Sequence, residues 1–300
     1  MKKIAMKKLL MKKIVMKKML KKIVCIVSVV ICLFMTGCTQ KADEGEAKNR
    51  LDAIRERGYI EVATEPAFAP FEFADPQKEG NDKYQGSDIE FAKYIAEKLG
   101  VELRIVPLEF SAVLAGVAEG KYDLAMSALA YTPEREKAMI LSKGYYFAED
   151  SAGHGLIIRE EDAEKIQNVD DLADKVLSFQ SGSLQELLAT EQIPSSKEIK
   201  RVSSSTDAYL MVQENKADVA VSNIDLAQLY IAANPNSGLM VASDFRFEIG
   251  KEYDGTRIGI PLGEVELEEF INSAIDEVLE SGEYEKWYLE AKEYAMTLGL

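Results

Sequence analysis

One histidine and three cysteines are all the soft metal ligands in this 300-residue chain. That is too few for a zinc or iron–sulfur centre, so the expectation is no metal and no other cofactor. The same shortage excludes a disulfide framework. It also removes histidine-dependent nucleophiles, because His154 stands between Gly153 and Gly155 with no nucleophile motif beside it; it reads as a hinge-side or strand-opening residue. The single tryptophan, Trp287 in Tyr284-Glu-Lys-Trp287-Tyr288, sits at helical spacing and reads as packing. Basic residues are scarce beyond the N-terminus. Residues 1–37 hold ten Lys, no Arg and no acid, so of 36 basic and 51 acidic residues the rest of the chain keeps 26 and 51. A net −25 on the remainder, against −15 overall, repels phosphate backbones and excludes nucleic acid as a partner. With 47% hydrophobic and 29% charged residues the chain is a folded one, and its length fits two domains.

The N-terminus reads MKKIAMKKLLMKKIVMKKMLKK, runs without charge from Ile23 to Met35, and ends in Thr36-Gly37-Cys38. A basic segment, a short apolar core and small residues make a secretory signal, since a spanning helix needs about 20 apolar residues. The Met-Lys-Lys repeats read as a low-complexity extension, leaving Met1, Met6, Met11, Met16 and Met19 as candidate starts. The run Leu33-Phe34-Met35-Thr36-Gly37-Cys38 resembles a bacterial lipobox, with Met35 where that pattern usually has Leu. The resemblance implies a signal peptide over 1–37 and a lipid, palmitate included, on Cys38. It implies a protein held at the extracytoplasmic face of the cell membrane. An ordinary signal whose Cys38 is incidental is the alternative. On the lipoprotein reading Cys25 and Cys32 leave with the signal, and the mature chain keeps only Cys38. Residues 38–49, small and polar, read as a tether.

Beyond the tether, apolar runs of strand length alternate with helical periodicity. Strands are expected at Tyr59–Thr64, Glu102–Val106, Tyr122–Ser127, Gly155–Arg159, Lys175–Phe179, Glu198–Val202, Asp218–Ser222 and Arg257–Pro261. One helix begins at Ser87, carries Ile89, Ala92, Ala96 and Leu99 on a face, and stops at Gly100. Such alternation predicts βαβ units and mostly parallel sheets. The segment Glu119-Gly-Lys121-Tyr-Asp123-Leu-Ala125-Met-Ser127 recurs as Glu214-Asn-Lys216-Ala-Asp218-Val-Ala220-Val-Ser222. The echo suggests two lobes of similar plan. Ligands sit beyond the carboxyl ends of strands in open α/β sheets, which places Ser127–Ala130 and Ser222–Asp225 on opposite walls of one cleft.

Thr132-Pro133-Glu134-Arg135 follows the first of these echoed strands. Thr caps a helix, Pro fits its first turn, free N–H groups there attract an anion, and Arg135 adds a planar fork that matches a carboxylate. An ordinary cap whose Arg pairs with a surface acid is the competing reading on local sequence. Glu65-Pro-Ala-Phe68-Ala-Pro-Phe71-Glu-Phe73 reads as a shaped loop, some of whose rings are core. Phe110 opens a helix over 110–119. Ser181-Gly182-Ser183 opens another helix at Leu184, a turn suited to a carboxylate and not to a nucleotide.

Taken in order, LDAIRERGYIEVAT, AFAPFEF, GSDIEFAKYIAEKLG, YDLAMSALAYTPERE, SKGYYF, KVLSFQSGS, KADVAVS and SGEYEKWYL resemble the amino-acid-binding family of bacterial extracellular solute-binding proteins, receptors for ABC importers. The resemblance covers about residues 50–295 and is nearest to glutamine-type binders. It implies a two-lobed α/β clamshell of the type II periplasmic-binding-protein plan. The first lobe is expected over 50–145 plus 259–300, the second over 150–253, with hinges at 145–150 and 254–258. By resemblance Arg135 holds a ligand carboxylate, helped by backbone groups at Ser127, Ala128 and Ala130. Phe68 and Phe110 sandwich the ligand side chain, Glu65 stands where polar side chains are read, and the amides of Ser183 and Leu184 donate from the second lobe. Gln180 and Ser222 add neutral polar contacts. Two departures bear on the ligand. Ala130 replaces a usual Ser or Thr, and Asn223 replaces a usual Asp that neutralises the α-ammonium, so the ligand has another amine partner (Glu65 or Asp225) or lacks a free α-amine. The expected protein is a monomeric, non-enzymatic receptor that hands an amino acid or similar small carboxylate to permease subunits. A cyclohexadienyl-type dehydratase and a sensory receptor on the same fold are the alternatives.

Overall fold

A computed structural model describes residues 49–147, 151–243 and 245–300. The signal, Cys38 and nearly all of the tether lie outside the described residues, as do residues 148–150 of the first expected hinge. The elements run α1 (Arg50–Arg57), β1 (Tyr59–Thr64), β2 (Ala67–Phe68), β3 (Glu72–Ala74), β4 (Tyr84–Gln85), α2 (Ser87–Leu99), β5 (Glu102–Pro107), α3 (Phe110–Ala118), β6 (Leu124–Leu129), α4 (Pro133–Ala138) and β7 (Ile140–Leu141). They continue with β8 (His154–Arg159), β9 (Val176–Gln180), α5 (Leu184–Gln192), β10 (Glu198–Val202), α6 (Ser205–Gln213), β11 (Val219–Asn223), α7 (Ile224–Ala233), β12 (Leu239–Val241), β13 (Arg257–Ile260), α8 (Val265–Ser281) and α9 (Glu283–Leu298).

Local chemistry sets the element ends. Gly100 closes α2 in the left-handed conformation, φ 70°, its N–H returning to the Ala96 and Glu97 carbonyls. Ile89, Ala92 and Ala96 of that helix are buried, while Leu99 is only partly covered. Thr132 caps α4 by accepting from the Arg135 amide at 3.2 Å, with Pro133 in the first turn.

The strands form two five-stranded sheets of one plan, β5-β1-β6-β13-β7 and β10-β9-β11-β8-β12. In each, four strands point the same way and one, β13 or β8, lies next to the edge strand and runs against both its neighbours. The expectation of mostly parallel sheets holds for strand direction, with one reversed strand in each sheet making two of its four pairings antiparallel. β8 and β13 are the strands that follow each crossing between lobes, so they arrive from the cleft side and run against their neighbours.

The internal echo has a structural cause. β6 and β11 occupy equivalent places, and the Asp that precedes each ties down a neighbouring strand. Asp123 accepts from the Glu61 amide at 2.8 Å and pairs with Arg50 and Arg57. Asp218 accepts from the Val176 amide at 2.8 Å and pairs with Arg159. The turn before each needs a left-handed residue, supplied by Gly120 (φ 69°) and by Asn215 (φ 57°), the two residue types that adopt it at least cost. Because these Asp residues serve as caps, the strands start at Leu124 and Val219, later than the apolar pattern suggests.

The first lobe's core packs Ile60, Val62, Phe91, Ile95, Leu124 and Met126 against Ile258, Ile260, Leu267, Ile271 and Tyr284 from the returning chain. Trp287 of α9 joins this packing beside Phe91 and Tyr94. The second lobe has a core on each face of its sheet, one around Phe179 and Leu188, the other around Tyr209 and Val212. The proline-rich segment after β1 is less of a loop than expected, since β2, β3 and β4 make a small antiparallel sheet. The chain's crossings run side by side, Tyr145 N–H donating to Thr256 O at 2.8 Å and Thr256 N–H to Tyr146 O at 2.9 Å. The return to the first sheet begins at Arg257, two residues before the expected lobe boundary.

Candidate functional site

A cavity of about 1280 Å³ lies between the two sheets and is lined from both lobes. Arg135 reaches it from the first turn of α4 and is 5% exposed. Its Nη1 donates to Ala130 O at 2.6 Å and its Nη2 crosses the cleft to Gly182 O at 2.9 Å. Nε has no protein partner, and the guanidinium sits 5.2 Å from the Phe110 ring centre. Burial lowers its pKa to about 10, so it remains a cation at neutral pH. The competing reading of Arg135 as a surface cap residue is thereby corrected: no acid pairs with it among the described residues, because the fold turns it inward.

Glu65, directly after β1, faces Gln180 at the end of β9, whose Nε2 donates to Oε2 across the cleft at 3.2 Å. Burial pushes the Glu65 carboxyl up to about 8, the charges of Asp207 and Glu109 adding to the effect and the Gln180 bond opposing it. Ser127 Oγ accepts from the Glu65 amide at 3.1 Å and donates to Glu72 Oε1 at 2.8 Å. Glu72 is fully buried and, for that reason first and the nearby Asp88 second, held well above the usual carboxylate range. Phe68 stacks 6.0 Å from Phe71, and with Phe110 it supplies apolar surface.

Of the expected site residues, Arg135, Phe68, Phe110, Glu65, Ser127, Ala128, Ala130, Gln180, Ser183, Leu184 and Asn223 all line this cavity. Ser222 does not. It is 2% exposed, and its hydroxyl lies 2.5 Å from the Tyr209 hydroxyl, because the alternation of β11 turns it into the lobe core. Several lining groups have their hydrogen bonds committed within the protein. Ala128, in the left-handed region at φ 47°, donates its N–H to Asp88 Oδ2 at 2.9 Å. The Ser183 amide turns back to Gln180 O at 3.3 Å, correcting the expectation of a free donor there. Asn223 caps α7, its Oδ1 accepting from the Leu226 amide at 3.1 Å.

Among the lining residues that sequence reasoning did not assign to the site are His154, Gln185 and Glu72. His154 opens β8 opposite Asn223, and desolvation pushes its imidazole down to about 4, so it is neutral. Gln185 Nε2 lies 3.1 Å from His154 Nδ1. Glu72 stood in the quoted AFAPFEF run, but nothing local marks a Glu in a short strand as buried.

Comparison with known proteins decides the family of this two-lobed fold and its cavity. The profile described as bacterial extracellular solute-binding proteins, family 3, matches residues 60–291. The chain belongs to that family. An arginine-binding extracellular protein of Bacillus subtilis (strain 168) is 27% identical over 270 residues, spanning 89% of this chain and 95% of the relative. An amino acid ABC transporter substrate-binding protein from Streptococcus pneumoniae Canada MDR_19A, solved bound to L-arginine, superposes with a TM-score of 0.72. It is 34% identical and covers 82% of this chain and 99% of that one. An ancestral amino-acid-binding protein described as a precursor of cyclohexadienyl dehydratase aligns at a TM-score of 0.67 and 28% identity, covering 80% and 98%. Like these family members, the present solute-binding protein is a two-lobed α/β clamshell.

Proposed function

We propose that this solute-binding protein is the capture subunit of an amino acid ABC importer, with no catalytic role. The observation that carries the reading is Arg135: a buried guanidinium, unpaired by any acid of the described residues, in a cavity that both lobes line. A carboxylate is the partner its planar fork fits. Ligand contact from both lobes draws them together, and differential affinity for the closed form supplies the driving force. In this reading Phe68 and Phe110 flank the ligand side chain, and Glu65 and Gln180 read its polar end. Leu184 donates its amide from the start of α5. Ala128 and Ala130 act by shaping the wall. Neutral Asn223 leaves the α-ammonium to Asp225, which also lines the cavity. The hinges are placed at 145–150 and 254–258, a reading supported by the hydrogen bonds that join Tyr145 and Tyr146 to Thr256. Lipidation at Cys38 holds the monomer at the outer face of the cell membrane, where it meets the permease subunits.

The arginine bound by two of the relatives makes arginine the first ligand to test. A thermal-shift screen over amino acids, amides, N-acyl derivatives and dicarboxylates tests the reading. A true ligand at one hundred times its Kd stabilises by about 2.7 kcal/mol. No shift with any amino acid or small carboxylate would refute it. The raised pKa of Glu65 is the one feature that favours a dehydratase, since a protonated carboxyl can serve as an acid. Prephenate turnover by the purified protein separates that reading from pure binding.

A further inference from the structure

Two carboxyl groups stand on one wall of the cavity with no cation beside them. Glu65 and Glu72 are 5% and 0% exposed. Glu65 Oε2 accepts from Gln180 Nε2, an amide that also donates to Ser203 O at 3.0 Å. Glu72 Oε1 accepts from Ser127 Oγ, and its Oε2 has no protein partner. No Lys or Arg of the described residues pairs with either acid. The charged groups facing Glu65 are Glu109 from the turn before α3, Asp207 from the first turn of α6 and Glu72 from β3. All three are acidic. Asp88, at the start of α2, adds a fourth acid behind Glu72. Arg135 shares the cavity but bonds neither acid, its Nη1 and Nη2 each giving one hydrogen to a carbonyl, of Ala130 and of Gly182. A carboxylate buried without a partner gives up its hydration for nothing. Such a group holds a proton or accepts a cation from outside.

We infer that the cavity takes ligand side chains of two charge types, a neutral amide or urea when Glu65 carries its proton and a guanidinium or ammonium when it does not. Glu65 is then the residue that sets charge selectivity. The inference rests on the amino-acid-binding reading above and goes further by naming the ligand classes. A protonated Glu65 offers one O–H donor and one carbonyl acceptor, the complement of an amide. Ionised, it offers acceptors only, the complement of a guanidinium. A cation that enters releases one proton to solvent, so the charge of the cavity is unchanged. With the Glu65 carboxyl at about 8, this exchange falls in an accessible pH range.

Arginine and citrulline test it, being equal in length and in α-groups and differing in side-chain charge. Calorimetric titration of each into the full protein from pH 6 to 8.5 gives the ratio of their association constants, in which the Arg135 contribution cancels. One exchanged proton makes that ratio rise about tenfold per pH unit in favour of arginine. In Glu65→Gln, nearly isosteric and checked for an unchanged circular dichroism spectrum, the ratio becomes flat and citrulline is retained. Binding of both ligands with a pH-independent ratio, or of arginine alone at every pH, overturns the inference and leaves the receptor reading standing. A slope that survives in Glu65→Gln also overturns it, by placing the proton elsewhere. Failure of every amino acid to bind overturns the receptor reading and the inference together.

Discussion

Replacing Arg135 with Ala removes the only deeply buried cation among the described residues that line the cavity, and the structure sets the scale of the loss. Truncating one partner of a buried, hydrogen-bonded charge pair costs about 2–5 kcal/mol of binding, or roughly thirty- to several-thousand-fold in Kd. The upper part of that range is expected here, because Arg135 is 5% exposed and is the one cation among the described lining residues that is buried. Arg135→Lys restores the charge without the planar fork and falls between. Two ligands separate a carboxylate contact from general damage. Arginine carries the α-carboxylate, and agmatine is the same molecule without it. By calorimetry, Arg135→Ala is expected to weaken arginine by at least a hundredfold and agmatine by less than about threefold, a coupling that isolates the guanidinium–carboxylate term. Equal losses for both ligands would show that Arg135 only braces the cleft through Ala130 and Gly182. Unchanged arginine binding would remove it from the site.

Three further outcomes follow from the same geometry. Glu65 holds its proton in the folded state up to about pH 8 but loses it near 4.5 when unfolded, so its presence destabilises increasingly as pH rises between those values. Glu65→Gln is therefore expected to match the parent in urea unfolding at pH 4 and to exceed it by up to about 3 kcal/mol at pH 7; a gain of equal size at both pH values would contradict this. Asp88 accepts from Tyr145, Tyr284 and the Ala128 amide while fully buried, so Asp88→Asn, with one acceptor oxygen, should cost about 2–4 kcal/mol in the same assay. An unmoved urea midpoint would exclude Asp88 as the anchor of Ala128. Asn223→Asp keeps the cap on Leu226 and adds a carboxylate to the cavity, so arginine should bind about tenfold more tightly with little change in melting temperature. Equal affinities in the two proteins would place the α-ammonium elsewhere.

Much of this architecture can be read directly from residue order, because the deciding interactions span a few positions. The Thr132 cap, the Gly100 stop and the paired Gly120 and Asn215 turns are local hydrogen-bond chemistry. The strand–helix alternation is a periodicity, whereas the cap and turn before Arg135 left its role open and only the resemblance of the whole run of segments singled it out. Other features come from elements that meet only on folding. Glu65 and Gln180 are 115 positions apart, and Glu72 and Ser127 are 55 apart, so no local pattern reveals that those acids lose water and find no cation. His154 reaches the cavity because β8 enters antiparallel at the cleft edge, and Ser222 leaves it because one residue's register on β11 decides which face a side chain takes. Caps and periodicity report on neighbours along the chain. Burial and charge balance depend on every group that arrives from elsewhere, and for that reason the cleft could be located from order alone but its proton chemistry could not.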